Sequence, residues 1–228
     1  METIISQFGH KNVIIYPSAS ASAPVVYNSD FIEEGEKVLA RCRRIGCPKF
    51  HLVTISNLNW DQELSPWPHE PVVSDDDHFE GQAETYMKQL EEEIIPYAEN
   101  ELKGRTNARI ICGYSMAGLF AAYAPFISDC FDGLVCASGS VWYPDFKEFF
   151  LGHDFKKTPV AAYFSLGNKE SKSRNPYLQM TEPNIKALSE ECIKRGVKSI
   201  YEENPGSHFR DSDLRTAKGI AWVLRNIR

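Results

Sequence analysis

The chain is predicted to be an α/β protein with a mostly parallel central sheet covered by helices on both faces. Three observations lead there. Short apolar runs alternate with segments of helical periodicity along the whole length, most of those runs are apolar on both faces, and Gly or Pro punctuates the junctions. With 228 residues, 43% of them hydrophobic and 25% charged, the chain can fill one large core. No repeat, low-complexity tract or composition break divides it, so a single domain over residues 1–228 is expected.

The elements follow in order. Residues 11–16 are an apolar strand stopped by Pro17, and the small residues 18–23 form a loop with accessible backbone N–H groups. A helix is expected over 31–45, because Phe31, Ile32, Val38, Leu39, Cys42 and Ile45 recur at helical spacing. Arg41, Arg43 and Arg44 fill its last turn, and Gly46 and Pro48 stop it. Residues 50–55 are the next strand. Residues 56–78 then read as one long irregular stretch, and a stretch beyond about 12–15 residues is usually functional or disordered. Its two tryptophans, Trp60 and Trp67, argue for function.

Asp75, Asp76 and Asp77 read as a solvated run placed near the positive end of the following helix rather than as a metal site. That helix, over 81–102, carries Tyr86, Leu90, Ile94, Tyr97 and Leu102 on one face and is kinked by Pro96. Strands are expected up to the turn at Ser115, over 131–137, over 160–166 and over 198–202. A helix spans about 182–194, and another closes the chain through Ala221, Trp222 and Leu224.

Charge and targeting signals exclude several classes of function. The net charge is −6 and the pI about 5.6, with both signs interspersed, which leaves no electrostatic footprint for nucleic acid or an anionic membrane. No basic amino-terminal segment precedes a long apolar run, so a soluble, cytoplasmic protein is expected. Six cysteines, Cys42, Cys47, Cys112, Cys130, Cys136 and Cys192, lack metal-binding spacing and read as reduced core residues. No metal or cofactor is called for.

The chemistry gathers around Gly113-Tyr114-Ser115-Met116-Ala117-Gly118. A buried strand, a turn of small residues around one serine and a buried helix are the outline of a nucleophile elbow. The pattern is usually G-x-S-x-G; here Ala117 holds the fifth place and the glycine follows one step later. Beyond later strands lie Glu170 and His208, so the order is serine, acid, histidine, as in an α/β-hydrolase triad. Of the six histidines (His10, His51, His69, His78, His153 and His208), only His208 lies beyond the last strand. Asp145, beyond the preceding strand, competes with Glu170 for the acid's place. The oxyanion donors expected are the Met116 N–H and one from the loop after residues 14–16, at Ser18 or Ala19. Trp60, Trp67 and Trp142 are candidates for the pocket wall.

Four segments, Gly-Tyr-Ser-Met-Ala-Gly, Ser-Gly-Ser-Val-Trp-Tyr, Leu-Gly-Asn-Lys-Glu and Gly-Ser-His-Phe, resemble those of the esterase family of α/β-hydrolases. That family includes enterochelin esterases and esterase D (S-formylglutathione hydrolase). The resemblance runs over most of the chain and is strongest from about Trp60 to His208. It implies an α/β-hydrolase fold with little or no cap domain and a metal-free serine hydrolase of carboxylic or thioester bonds. The expected partner is a small-molecule ester, and a homodimer is left open. Acyl transfer at the same site, or a catalytically silent scaffold used for binding, are the alternatives.

Overall fold

The computed structural model describes residues 2–103 and 106–227. The chain opens with β1 (Ile4–Phe8), β2 (Lys11–Tyr16) and β3 (Val25–Ser29), then α1 (Gly35–Arg44) and β4 (His51–Ser56). Next come α2 (Trp60–Leu64) and a small ribbon of β5 (Pro68–His69) and β6 (Phe79–Glu80). Helices α3 (Ala83–Gln89) and α4 (Ile95–Leu102) lead to β7 (Arg109–Tyr114), α5 (Met116–Ile127), β8 (Gly133–Ala137), α6 (Phe146–Gly152) and β9 (Ala161–Gly167). Last are α7 (Pro176–Gln179), α8 (Thr181–Lys194), β10 (Lys198–Asn204) and α9 (Ser212–Asn226).

Among the described residues eight strands make one sheet, in the order β1-β2-β4-β3-β7-β8-β9-β10. From β4 to β10 every pairing is parallel, whereas β1 and β2 run antiparallel at one edge. Successive side chains of a strand point to opposite faces, so each buried strand feeds two cores. Val26, Leu52, Ile110 and Val135 pack with residues of α1 and α9 on one face. Val25, Val53, Ile111 and Leu134 pack with residues of α2 to α6 and α8 on the other. Among the described residues no helix is long and apolar enough to cross a membrane.

Four local features depart from the sequence reading. Strands β1 and β3 are additional: β1 is a half-buried edge strand, and β3 lies in a stretch to which the sequence reading gave no element, ending in Asn28 and Ser29, polar residues that are buried. Ser29 is satisfied there by a hydrogen bond of 2.9 Å between its hydroxyl and that of Tyr86. Helix α1 begins at Gly35, which leaves Phe31 and Ile32 in the preceding loop, 67% and 60% exposed.

The expected helix over 81–102 is interrupted by a π-helical turn at Leu90–Ile94, just ahead of Pro96. A wider turn accommodates a proline that has no N–H to donate and whose ring crowds the carbonyl four residues back. The stretch 56–78 holds a helix and one strand of the ribbon rather than being wholly irregular. Within it the Asp77 carboxylate accepts the Val72, Val73 and Ser74 N–H groups at 3.1, 2.8 and 3.1 Å, so one acid of the triple closes a turn.

Candidate active site

Strand β7 delivers Ser115 to the carboxyl edge of the parallel strands. Its backbone sits at φ 59° and ψ −124°, a region costing a residue with a side chain on the order of 1–3 kcal/mol. The surroundings impose that conformation. A Cβ on Gly113 would run into the Ala117 carbonyl, and one on Gly118 would meet the Gly139 Cα at 2.9 Å. The turn into α5 is thus too tight for side chains at either position, and the Ser115 hydroxyl is turned outward. The Ser115 N–H donates to the Ala137 carbonyl at 3.2 Å, and the Ser115 carbonyl accepts the Ser140 N–H at 3.0 Å.

Two loops bring the other groups. After β9, the Glu170 carboxylate folds back on its own strand, and after β10 the loop with His208 crosses toward β7. The loops are tied together by Gly206 N–H to Asn168 Oδ1 at 3.0 Å and Lys169 N–H to the Gly206 carbonyl at 3.1 Å. His208 Nε2 lies 3.0 Å from Ser115 Oγ, and His208 Nδ1 lies 2.7 Å from Glu170 Oε2. Asp145 is exposed at the start of α6, whereas the Glu170 side chain is only 6% exposed.

The two oxygens of Glu170 are used differently. Oε1 accepts three bonds, from the Gly167 N–H at 2.6 Å, the Ser138 hydroxyl at 2.9 Å and Arg215 Nη1 at 2.7 Å. Oε2 faces His208. Burial acts to raise the Glu170 pKa; its hydrogen bond to His208 and the His208 charge, with the Gly167 N–H and Ser138, outweigh that and hold it below its ordinary value. A carboxyl so held adds stability that is complete above its unfolded pKa of about 4.3 and is lost as pH falls through the folded value. The difference in unfolding free energy between the parent and Glu170→Gln is therefore expected to be full at neutral pH and to narrow below about pH 4. Urea titrations at several pH values check it; a constant gap would contradict it.

Arg215, on α9, is a residue of the candidate site that sequence reasoning missed. Its side chain is 1% exposed. Besides Glu170, Nη1 reaches the Tyr114 hydroxyl at 3.0 Å and the Ser138 hydroxyl at 2.9 Å, while Nη2 donates to the Pro205 and Ser207 carbonyls at 3.3 and 2.9 Å. The Tyr114 hydroxyl in turn donates to the His208 carbonyl at 2.6 Å. One guanidinium thus fixes both the acid and the loop that carries the histidine. Five donors in a rigid plane suit this task, which a lysine could not perform.

The two expected oxyanion donors fall in different parts of the fold. Met116 is the first residue of α5, where a helix leaves its N–H groups without internal partners. Ser18 requires correction. Because β2 runs antiparallel to β4, its carboxyl end lies at the opposite edge of the sheet from Ser115, and the Ser18 N–H is already donated to His51 Nδ1 at 2.9 Å. The loop that does reach the site follows β3. Ser29 pairs with Gly113 in parallel register, so the backbone at residues 30–32 runs level with Ser115.

Ser115 and His208 open on a cleft of about 490 Å³. Trp60 lines it, its ring nearly perpendicular to that of Phe31 at 5.1 Å. Trp67 and Trp142 do not. Trp67 is packed among Tyr123, Tyr143, Phe146 and Phe149 with centroids 5.4 to 6.3 Å away, and Trp142 rests on Phe79 and Tyr143 at 6.4 Å. Both belong to the aromatic packing on the α5 face. In place of those two tryptophans the cleft is lined by Phe31, Ile32, Tyr114 and Phe209, which the sequence reading did not assign to it.

No protein-family model matches the chain. An uncharacterized protein of Bacillus subtilis, YbbA, is 24% identical over 166 residues, covering 70% of this chain and 66% of that protein, so the match takes in just under two thirds of its length. Among solved structures, an IroE-like serine hydrolase from Shewanella oneidensis superposes with a TM-score of 0.79 at 19% identity, over 98% of this chain and 80% of that one. The siderophore hydrolase EstA from Aspergillus nidulans gives 0.76 at 18%, over 98% and 93%. The enterobactin esterase FES from Shigella flexneri gives 0.73 at 15%, over 100% and 59%. With its mostly parallel sheet and helices on both faces, the chain has the α/β-hydrolase fold that these esterases share.

Proposed function

We propose that the chain is a serine esterase, hydrolysing carboxylic esters, or thioesters, through an acyl-enzyme on Ser115. The observation that carries this reading is the line of hydrogen bonds from Glu170 through His208 to Ser115, ending on a hydroxyl held at a strained backbone position beside an open cleft. His208 Nε2 takes the Ser115 proton as Oγ attacks the carbonyl carbon. The oxyanion is held by the Met116 N–H and by an N–H of the loop at Phe31 and Ile32. As the tetrahedral intermediate collapses, His208 returns the proton to the leaving alkoxide. Water, deprotonated by the same imidazole, then releases the acid. Glu170 stays ionised throughout, holding Nδ1 protonated and balancing the imidazolium charge. A reducing, cytoplasmic setting agrees with the six free cysteines.

An acyl-enzyme predicts burst kinetics. Mixed with excess p-nitrophenyl acetate, the protein is expected to release about one equivalent of nitrophenolate quickly and the rest at the slower deacylation rate. Hydrolysis no faster than in buffer alone would overturn the reading.

A further inference from the structure

We propose that the cleft over Ser115 is selective by charge and shape. It takes uncharged esters that carry a flat apolar group and turns away esters with a negative charge close to the scissile bond. The proposal rests on the hydrolase reading above and deepens it.

The first observation is where the apolar surface lies. Phe31, Ile32 and Phe209 are 67%, 60% and 91% exposed, and all three stand around the one cleft that holds Ser115. Each leaves most of its apolar surface in water, where burial would be favourable. A single exposed apolar side chain is ordinary, but three gathered at a mouth mark a surface that is covered in use. Two are aromatic rings set nearly perpendicular to rings of the site, Phe31 to Trp60 at 5.1 Å and Phe209 to the His208 imidazole at 5.2 Å, and both keep most of their surface open. Aromatic faces of this kind favour a flat apolar partner.

The second observation is the charge of the lining. Asp30, Glu34 and Asp213 border the cleft, and among the described residues neither lysine nor arginine does. The cations nearby are committed to carboxylates: Arg41 to Asp213 at 2.8 Å, Lys37 to Glu34 at 3.1 Å and Arg210 to Asp211 at 3.4 Å. Arg215 is buried behind Glu170 and spent on it. Asp30 is only 8% exposed, and its carboxylate accepts the Glu34 N–H at 2.7 Å at the entrance to α1. An anionic substrate group would enter a partly dry space with no cation to meet it and with carboxylates on its border, an arrangement that disfavours it.

The experiment compares p-nitrophenyl butanoate, the p-nitrophenyl monoester of succinate and p-nitrophenyl phenylpropanoate, each rate divided by that ester's own alkaline hydrolysis rate. A neutral fluorophosphonate is first used to titrate Ser115. The proposal expects kcat/KM for the succinate ester to lie about tenfold or more below that for butanoate. It also expects phenylpropanoate to exceed butanoate, with that preference falling about threefold or more in Phe209→Ala. A preparation whose Ser115 takes the label in a separate aliquot, but whose unlabelled protein hydrolyses the succinate ester as well as butanoate or shows no preference for the phenyl group, would overturn the proposed substrate class and leave the hydrolase standing. Protein that takes no label and turns over none of the three esters would overturn both.

Discussion

Ser115→Ala is expected to lower kcat for any ester substrate by about 10⁵-fold or more, to the level left by the oxyanion donors and the cleft. The hydroxyl is the attacking atom, and no other oxygen lies in its place. The Ser140 hydroxyl is 3.4 Å from Ser115 Oγ, while His208 Nε2 is bonded to Ser115. Thermal unfolding should be nearly unmoved, since a partly exposed hydroxyl contributes only about 1 kcal/mol to stability. His208→Ala should cost a similar factor, and the double variant little more than either alone, because groups that act as a unit are not additive. Steady-state rates on all three variants check this. Turnover that survives in Ser115→Ala would remove the serine from the mechanism.

Arg215→Met is the second large effect, and it should strike stability and activity together. Removing the guanidinium leaves the Glu170 carboxylate, 6% exposed, without its cation; stranding a buried charge in this way costs about 3–5 kcal/mol. The Ser207 and Pro205 carbonyls lose their donor at the same time, which frees the loop carrying His208. An expected 10- to 100-fold fall in kcat follows from the misplaced imidazole, with KM changed much less because Arg215 does not border the cleft. Combining Arg215→Met with Glu170→Gln separates the two roles. The double variant should unfold at a higher temperature than Arg215→Met, since the orphan charge is gone, yet be no more active. Recovery of activity along with stability would show that Arg215 matters to folding alone.

Much of this architecture is legible from local pattern. Apolar runs bounded by glycine and proline are set by short-range chemistry, and the order of Ser115, Glu170 and His208 along alternating strands and helices already places all three at the carboxyl edge of a parallel sheet. What local pattern does not hold is the direction in which an edge strand runs. Residues 11–16 have the composition of a parallel strand, but β2 is antiparallel, and that reversal carries Ser18 to the far edge and leaves the loop after β3 to face Ser115. β3 was hidden because Asn28 and Ser29 are buried polar residues whose partners lie far along the chain, as Tyr86 does.

Phe31 and Ile32 fit a helical face by spacing, yet they precede α1 and stand at the cleft. Arg215 looks like one more cation on an amphipathic helix. Only Glu170, 45 residues earlier, makes its burial affordable. Trp67 and Trp142 have nothing in their neighbourhoods to separate a pocket wall from a packed core; the aromatic side chains of α5, α6 and the ribbon decide it.

An activated serine at the end of β7 underlies every step above, and labelling with a fluorophosphonate, read by intact mass and peptide mapping, probes it without presuming a substrate. One adduct is expected, on Ser115, absent in Ser115→Ala and formed far more slowly in His208→Ala. A folded parent protein that takes no label, or takes it at another residue, would contradict it.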